Sequence, residues 1–416
     1  MASRMFSKGV ASLVILSSFA SPSFAGGLER GGYNIDQLFD TGPFSFNSSA
    51  VYVAPQRKLK NVVDTDTNPT NPFTNEYGGG DLNGRPDSVH DTDGYWVPRV
   101  GFKAAIGDSV DCLADYSQPW GAHTNPGVNW AGANQNIETK VESDNYAATC
   151  SYKFDMGPGQ FRIIGGGFYQ EVSGFKERLV QDPSLLPAGF SGIGRLDLEG
   201  DGWGWRVGAA YEIPEYALRA SLVYNSSVSL DNITGNIDLT HVLPVVGTRY
   251  AVSGSADLPD TLELKLQSGI APDWLAFGSV KWANWSKLQV LNFCPATPTA
   301  LQPCTDLDLL YKDGWTVTAG IGHKFNDQWS GAVSLTWDRG TSQGYGTQTD
   351  TWTVGTGVAY TPNDNVELRL AGVLGILTSG ESGAVTYQGV TYGDDVSYSF
   401  GNDLVAAISA DFKVKF

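Results

Sequence analysis

The sequence predicts an all-β protein, a transmembrane antiparallel β-barrel closed from fourteen strands. Three observations carry this prediction. Segments of about 10 to 16 residues alternate apolar with polar or small side chains, and ordinary strands run about 5 or 6. Aromatic rings gather at the ends of the apolar faces, as the two interfacial girdles of a membrane barrel require. Connections between segments alternate short and long, and the count of segments is even.

The first element is a leader. In "MASRMFSKGVASLVILSSFASPSFA", Arg4 and Lys8 precede an apolar run from Val10 to Leu16, and Ser23-Phe24-Ala25 forms a small-x-small cleavage site. A membrane helix needs about 20 apolar residues, and Pro22 with the serines interrupts too early. Residues 1–25 therefore read as a signal peptide, and the mature chain begins at Gly26. Loss of Arg4 and Lys8 takes the formal charge from −17 to −19. Such an acidic chain excludes nucleic acid as a partner, and its acids do not run in one block as a disordered tail would.

The strands follow in order. Their expected ranges are 43–56, 96–107, 109–118, 141–155, 159–170, 200–213, 215–231, 259–271, 273–290, 308–325, 327–340, 346–361, 364–378 and 399–416. In "GWTVTAGIGHKF", Trp315, Val317, Ala319, Ile321 and Phe325 share one face. In "GWGWRVGAAYEI", Trp203, Trp205, Val207, Ala209, Tyr211 and Ile213 do the same. The final "AAISADFKVKF" keeps the period to its last residue, Phe416. A soluble sandwich alternates too; length, girdles and loop asymmetry decide for the membrane. Backbone groups in lipid must all be paired, so the last strand must meet the first. The aromatic end looks like the terminal signal that outer-membrane barrels present to the barrel assembly machinery. The expected surroundings are bacterial outer-membrane lipid and lipopolysaccharide.

Four cysteines in an exported chain permit disulfides. Cys294 and Cys304 bracket "CPATPTALQPC", and their pairing would close a small loop. Cys112 and Cys150 fall on the apolar faces of neighbouring strands, within bridging distance on the lipid side. Free thiols are the alternative. Zinc is not expected, because no CxxC and no nearby histidines occur.

The inward face is mixed. Phe277, Val373 and Leu377 fall on it, with Arg99, Lys103, Arg206, Arg219, Lys265, Lys281, Lys312 and Arg369 and the acids Glu212, Glu263 and Glu367. Apolar surface with a few placed cations suits an amphiphile carrying a carboxylate. The competing reading is a ladder of ion pairs that only fills and stiffens the barrel. No enzyme is expected. "GGGDLNGR" lacks a following phosphate-binding helix, no serine can be tied to His323, and the loop acids Asp64, Asp66, Asp81, Asp87, Asp91 and Asp93 lack calcium-loop spacing. No cofactor and no metal are expected.

Several stretches carry a family resemblance. They are "LPDTLELKLQSGIAPDWLAFGSVKWANWSKLQV", "YKDGWTVTAGIGHKFNDQWSGAVSLTWD", "GDGWGWRVGAAYEI" and "PFSFNSSAVYVAP". With them the mature chain resembles the FadL-type outer-membrane transporters of long-chain fatty acids and other hydrophobic compounds. The resemblance implies a short N-terminal plug over residues 26–42 and a barrel over residues 43–416. Leu28, Tyr33, Ile35, Leu38 and Phe39 would pack the plug. It implies capture of substrate by outer loops, an internal pocket with a basic group for a carboxylate, and sideways exit at an inward kink in the third strand. By motif, Lys312 of "YKDGW" is the carried basic position, with Arg206 second by parity. The segment is shorter than the family's usual plug, and the family's Asn-Pro-Ala motif is absent. The expected function is passive uptake of long-chain fatty acids or another hydrophobic small molecule. A polar-solute porin and an outer-membrane lipid hydrolase are the alternatives.

Overall fold

The computed structural model describes residues 27–71, 76–242, 249–299 and 302–416. The expected leader lies outside the described residues. Fourteen strands make one closed antiparallel ring. Strands one to six are Phe44–Pro55, Tyr95–Ile106, Val110–Ser117 with its continuation Gly121–Thr124, Glu138–Met156, Gly159–Leu179 and Ile193–Ile213. Strand seven is Leu218–Asn225 with Val228–Asp238, and strand eight is Arg249–Leu258 with Thr261–Ala271. Strands nine to fourteen are Trp274–Ala283, Gly314–Lys324, Trp329–Asp338, Thr351–Asn363, Val366–Leu377 and Asp403–Lys415. Strand fourteen closes on strand one in register from Ser45↔Lys415 to Pro55↔Val405. Closure leaves no unpaired edge for lipid to meet.

The two-residue period sorts every wall residue. On strand fourteen Leu404, Ile408 and Phe412 are exposed, whereas Val405 and Lys413 are buried. On strand twelve Trp352, Val354 and Val358 point out and Thr351 and Thr353 point in. Exposed apolar side chains repeated around a whole ring require a hydrocarbon solvent. Both cysteine pairs are disulfides, Cys112–Cys150 and Cys294–Cys304. Cys112 and Cys150 are direct cross-strand partners, and Cys150 is exposed among the outward residues of strand four.

Several boundaries differ from expectation. Residues 171–199 are not simply an outer loop. Strands five and six stay paired from Gln160↔Glu212 out to Leu179↔Ile193. Beyond the membrane both faces are wet, so Glu171, Lys176, Glu177 and Arg178 break the apolar period without breaking the ladder. Strand nine ends at Ala283 rather than near 290. A 3-10 turn, Trp285–Lys287, then carries the chain inward, anchored by Asn284 Nδ2 donating to Asp260 Oδ1 at 3.0 Å and Lys287 pairing with the same atom at 3.2 Å. Strand ten begins only at Gly314.

Outside the ring, Lys58–Asp64, Val89–His90, Gly380–Ser382 and Val396–Phe400 form a four-stranded sheet joining the first and last outer loops. Its fastening is Arg57, 3% exposed. The guanidinium donates to the carbonyls of Thr378 and Gly401, each at 3.1 Å, and pairs with Asp403 at 3.2 Å. One planar five-donor group thereby ties three chain segments.

The N-terminal segment Gly27–Gly42 contacts inward residues from many sides of the ring. Gln37 Nε2 donates to Gly101 O at 3.2 Å, and the Tyr33 hydroxyl donates to Gln170 Oε1 at 2.9 Å. Its three acids each meet a wall cation: Glu29 with Lys281, Asp36 with Lys265 at 3.1 Å, and Asp40 with Lys413 at 2.9 Å. Ile35, Leu38 and Phe39 pack against Leu113, Ile164, Ala210 and Val223. Leu38 is fully buried, a contribution of about 1.5–3 kcal/mol. The segment is therefore seated inside the barrel by both apolar and charged contacts.

Candidate transport site

The third strand carries the main irregularity of the wall. Ser117 faces Asn145 and Gly121 faces Glu142, so one more residue is spent on strand three than on strand four. The extra length lies in Gln118-Pro119-Trp120, where proline has no N–H to give the ladder. Trp120 is 1% exposed, so the chain has turned inward. Ser143 replaces the missing ladder partner: its Oγ accepts from Trp120 N at 2.9 Å and donates to Trp120 O at 2.7 Å.

This excursion opens the hydrogen bonding between strands two and three. Their ladder runs only from Ile106↔Val110 to Arg99↔Ser117. Above it Tyr95–Pro98 pair with strand one alone, and Gly121–Thr124 pair with strand four alone. A single bridge, Thr92↔Thr124, rejoins the two sides. The result is a window in the wall, framed by Arg99 and Ser117 at one end and by Thr92 and Thr124 at the other. The N-terminal segment lies against it. Pro119 O accepts from the amides of Arg30, Gly31 and Gly32, and Leu28 O accepts from Gly121 N at 2.6 Å.

Two cavities lie on either side of this segment. The outer one, of ≈ 260 Å³, is walled by Leu28, Leu196, Leu230, Ile233, Leu258, Leu291, Phe293 and Leu307. Its charged lining is Lys176 with Asp91, Glu199 and Asp308. Burial pushes the Asp91 carboxyl up to about 7, against the nearby Arg57 charge, which lowers it. The inner chamber, of ≈ 230 Å³, is the more polar of the two. Seven cationic and four acidic side chains line it among the described residues, including Arg30, Arg99 and Lys265 against Asp36, Asp115 and Glu263.

An aromatic partition separates the two. Trp120 meets Trp285 edge to face at 5.2 Å, Tyr33 meets Trp120 at 5.5 Å and Phe168 at 5.0 Å, and Trp285 meets Tyr311 at 5.9 Å. Gly27, at φ +70°, lies so close to the Trp285 ring that a Cβ there would stand 2.6 Å from it. Arg206 is 2% exposed and sits over the Tyr33 and Phe168 rings at 5.4 and 5.2 Å, with no acceptor for its guanidinium nitrogens among the described residues.

The sequence-based candidates are dispersed over these features. Leu28 lines the outer cavity, and Tyr33 and Phe277 line the inner one. Arg206 lies at the partition. Val373 is buried on the inward face of strand thirteen, and Leu377 ends that strand, its carbonyl near Arg57. Lys312, the motif-based candidate, precedes strand ten in the loop after Tyr311, and it lines neither of these two cavities. Trp120, Trp285, Arg30 and Lys176 were not singled out from the sequence. The proline of "SQPWG" inside an otherwise regular strand was the available signal for the first.

A closed ring of strands, apolar outward, with internal cavities and a strand-three window defines a β-barrel of the bacterial outer-membrane class. The chain belongs to the family of outer membrane protein transport proteins (OMPP1/FadL/TodX), whose model matches residues 38–368. It is 26% identical over 267 residues to the long-chain fatty acid transport protein of Salmonella typhi, covering 58% of this chain and 60% of that one. The chain thus spans less than two thirds of that relative. It is 24% identical to the protein of the same description from Escherichia coli K12, over 72% of this chain and 70% of that one. Its fold matches the crystal structure of a Pseudomonas aeruginosa FadL homologue at TM-score 0.72 and 16% identity, covering 94% and 96% of the two chains. The P. putida toluene transporter TodX matches at TM-score 0.58 and 14% identity, covering 95% and 99%.

Proposed function

We propose that the chain is a passive channel that takes up long-chain fatty acids across the outer membrane. The observation that carries this reading is the apolar outer cavity set beside a window in the wall, with a docked segment between them. An alkyl chain entering that cavity leaves water for Leu230, Ile233, Leu258, Leu291 and Phe293, gaining about 0.8 kcal/mol per buried methylene. The outer loops capture the molecule. Gly27–Gly42 acts as the plug, and its displacement from the partition joins the two cavities. The molecule then leaves sideways between strands two and three, so its tail passes into lipid without crossing water.

The test is uptake of radiolabelled palmitate by cells that lack their own fatty-acid importer, with and without this chain. Native mass spectrometry of the purified barrel accompanies it. Uptake that depends on the chain, with a fatty acid copurifying, is the expected result. Steady small-ion conductance in planar bilayers with no palmitate binding would instead make it a polar-solute porin.

A further inference from the structure

Lys176 stands apart from the other lysines that face a cavity. In the inner chamber Lys265 is paired with Asp36 at 3.1 Å, Lys413 with Asp40 at 2.9 Å, and Lys281 with Glu29. Lys176 lines the outer cavity, and no hydrogen bond or ion pair holds its Nζ among the described residues. It lies on strand five, beyond the aromatic row in which Tyr169 faces Tyr146 on one side and Trp203 on the other. The amine is therefore outside the membrane-spanning part of the wall, and the mechanism above does not use it.

A second titratable group shares this cavity. Val290–Phe293 and Thr305–Asp308 form a two-stranded ladder from Val290↔Asp308 to Phe293↔Thr305. The Cys294–Cys304 disulfide closes its loop end, and Cys294 exchanges backbone hydrogen bonds with Ser253 at 2.9 and 3.0 Å. The hairpin so held presents Leu291, Phe293, Leu307 and Asp308 to the cavity. Asp308 Oδ1 is enclosed with no hydrogen-bond partner among the described residues. Desolvation favours the uncharged form of both groups. Burial, then the Arg178 charge, lowers the Lys176 ammonium to about 8, while Asp308, Asp395 and Asp306 oppose the fall. Burial raises the Asp308 carboxyl, opposed by Lys176 and Arg178 and helped by Asp306 and Asp395. Asp91 and Glu199 are the other charges on the cavity wall. A neutral amine and a proton-carrying acid in one apolar space are the two parts that imine formation needs.

We infer that Lys176 is a covalent capture site for long-chain aliphatic aldehydes, with Asp308 as its proton-transfer partner. The site needs only the outer cavity, so it stands whether or not the channel carries fatty acids. The alkyl chain lies among Leu230, Ile233, Leu258 and Phe293. The neutral Lys176 nitrogen attacks the aldehyde carbon; the N–C bond forms, and a proton passes from nitrogen to the former carbonyl oxygen. Asp308 gives its proton to that hydroxyl, which leaves as water while the nitrogen lone pair closes the C=N bond. The remaining N–H proton returns to the Asp308 carboxylate. One amine and one aldehyde thus become one imine and one water, with no change of oxidation state. The apolar walls keep bulk water from reversing the step.

The experiment treats the barrel, in nanodiscs of phosphatidylcholine, with decanal or butanal and sodium cyanoborohydride, which reduces the C=N bond and fixes the adduct. Peptide mass mapping reads the labelling rate of each lysine, and exposed Lys60 on the outer sheet is the internal reference. At pH 7 about a tenth of an amine titrating at about 8 is neutral, against about one in 2,500 for an ordinary lysine. The weaker base is also the weaker nucleophile, so decanal is expected to label Lys176 about tenfold faster than Lys60. Decanal should outpace butanal about tenfold at Lys176 and not at Lys60, and the Lys176 rate should rise with pH to a midpoint near 8. Equal rates at the two lysines, or butanal as fast as decanal at Lys176, overturn the capture site without touching the fatty-acid reading. Lys176→Arg, folded by heat-modifiable gel mobility, should lose this adduct and keep that at Lys60; an undiminished total of fast decanal adduct places the reactive amine elsewhere. Asp308→Asn removes a charge that holds the amine protonated, so a purely electrostatic Asp308 predicts faster labelling. Labelling slowed severalfold is expected from its proton-transfer role, and faster labelling overturns that role.

Discussion

Asp36 is where the seating of the N-terminal segment is most sharply testable. Its carboxylate accepts from Lys265 at 3.1 Å and lies 3.9 Å from Arg219, and the residue is 8% exposed. Asp36→Ala removes the acid and leaves the wall cations facing a methyl group. Breaking a buried ion pair costs about 3–5 kcal/mol. Glu263, at 3.7 Å from Lys265, takes over part of the charge. The net loss is then roughly 2–3 kcal/mol, and the undocked fraction rises about 30- to 150-fold. Ile35, Leu38 and Phe39 remain buried, so the segment stays mostly docked and the change appears as more frequent openings. Single-channel recording in planar bilayers counts them directly, and unchanged heat-modifiable mobility shows that the barrel is intact. An opening frequency within threefold of wild type would refute the view that charge pairs hold the segment in place.

Two further outcomes are expected. Lys312→Ala leaves palmitate affinity within twofold, because Lys312 lines neither cavity; a tenfold loss of palmitate binding in phosphatidylcholine nanodiscs would restore the motif-based role. For Asp91, burial places the folded-state carboxyl at about 7, above the ordinary carboxylate range. The folded protein therefore holds a proton that the unfolded chain releases. Its contribution is full at acid pH and is lost as pH rises from about 4 through about 7. Protease resistance of the outer loops should fall over that interval in wild type and stay flat in Asp91→Asn; parallel profiles would show that another group titrates.

The wall was legible because one rule acts on every spanning residue. Side chains alternate, lipid accepts only apolar ones, and closure forbids an odd strand out, so Leu404, Ile408 and Phe412 declare their face without any knowledge of their neighbours. The same rule placed Cys112 opposite Cys150. It fails where the ladder stops. Lys312 was given an inward direction by counting back from Thr316, yet parity has no meaning two residues before Gly314, where strand ten begins. Trp120 sits on a short inward excursion that interrupts strand three and Trp285 on one that follows strand nine, and only tertiary contact shows that the two rings meet. Arg30 sits in a segment without periodicity, so the lack of an acceptor for its Nε and Nη2 among the described residues is visible only once the surrounding atoms are placed.

The Cys112–Cys150 bridge fixes which way the barrel can tear. It staples strands three and four a few residues below the point where strand three parts from strand two. Any widening there must carry strand four along with strand three as one leaf. The opposite jamb, strand two, is paired to strand one as far as Tyr95. The seam therefore has a fixed hinge side, with the Tyr95 ring standing on the opposite jamb.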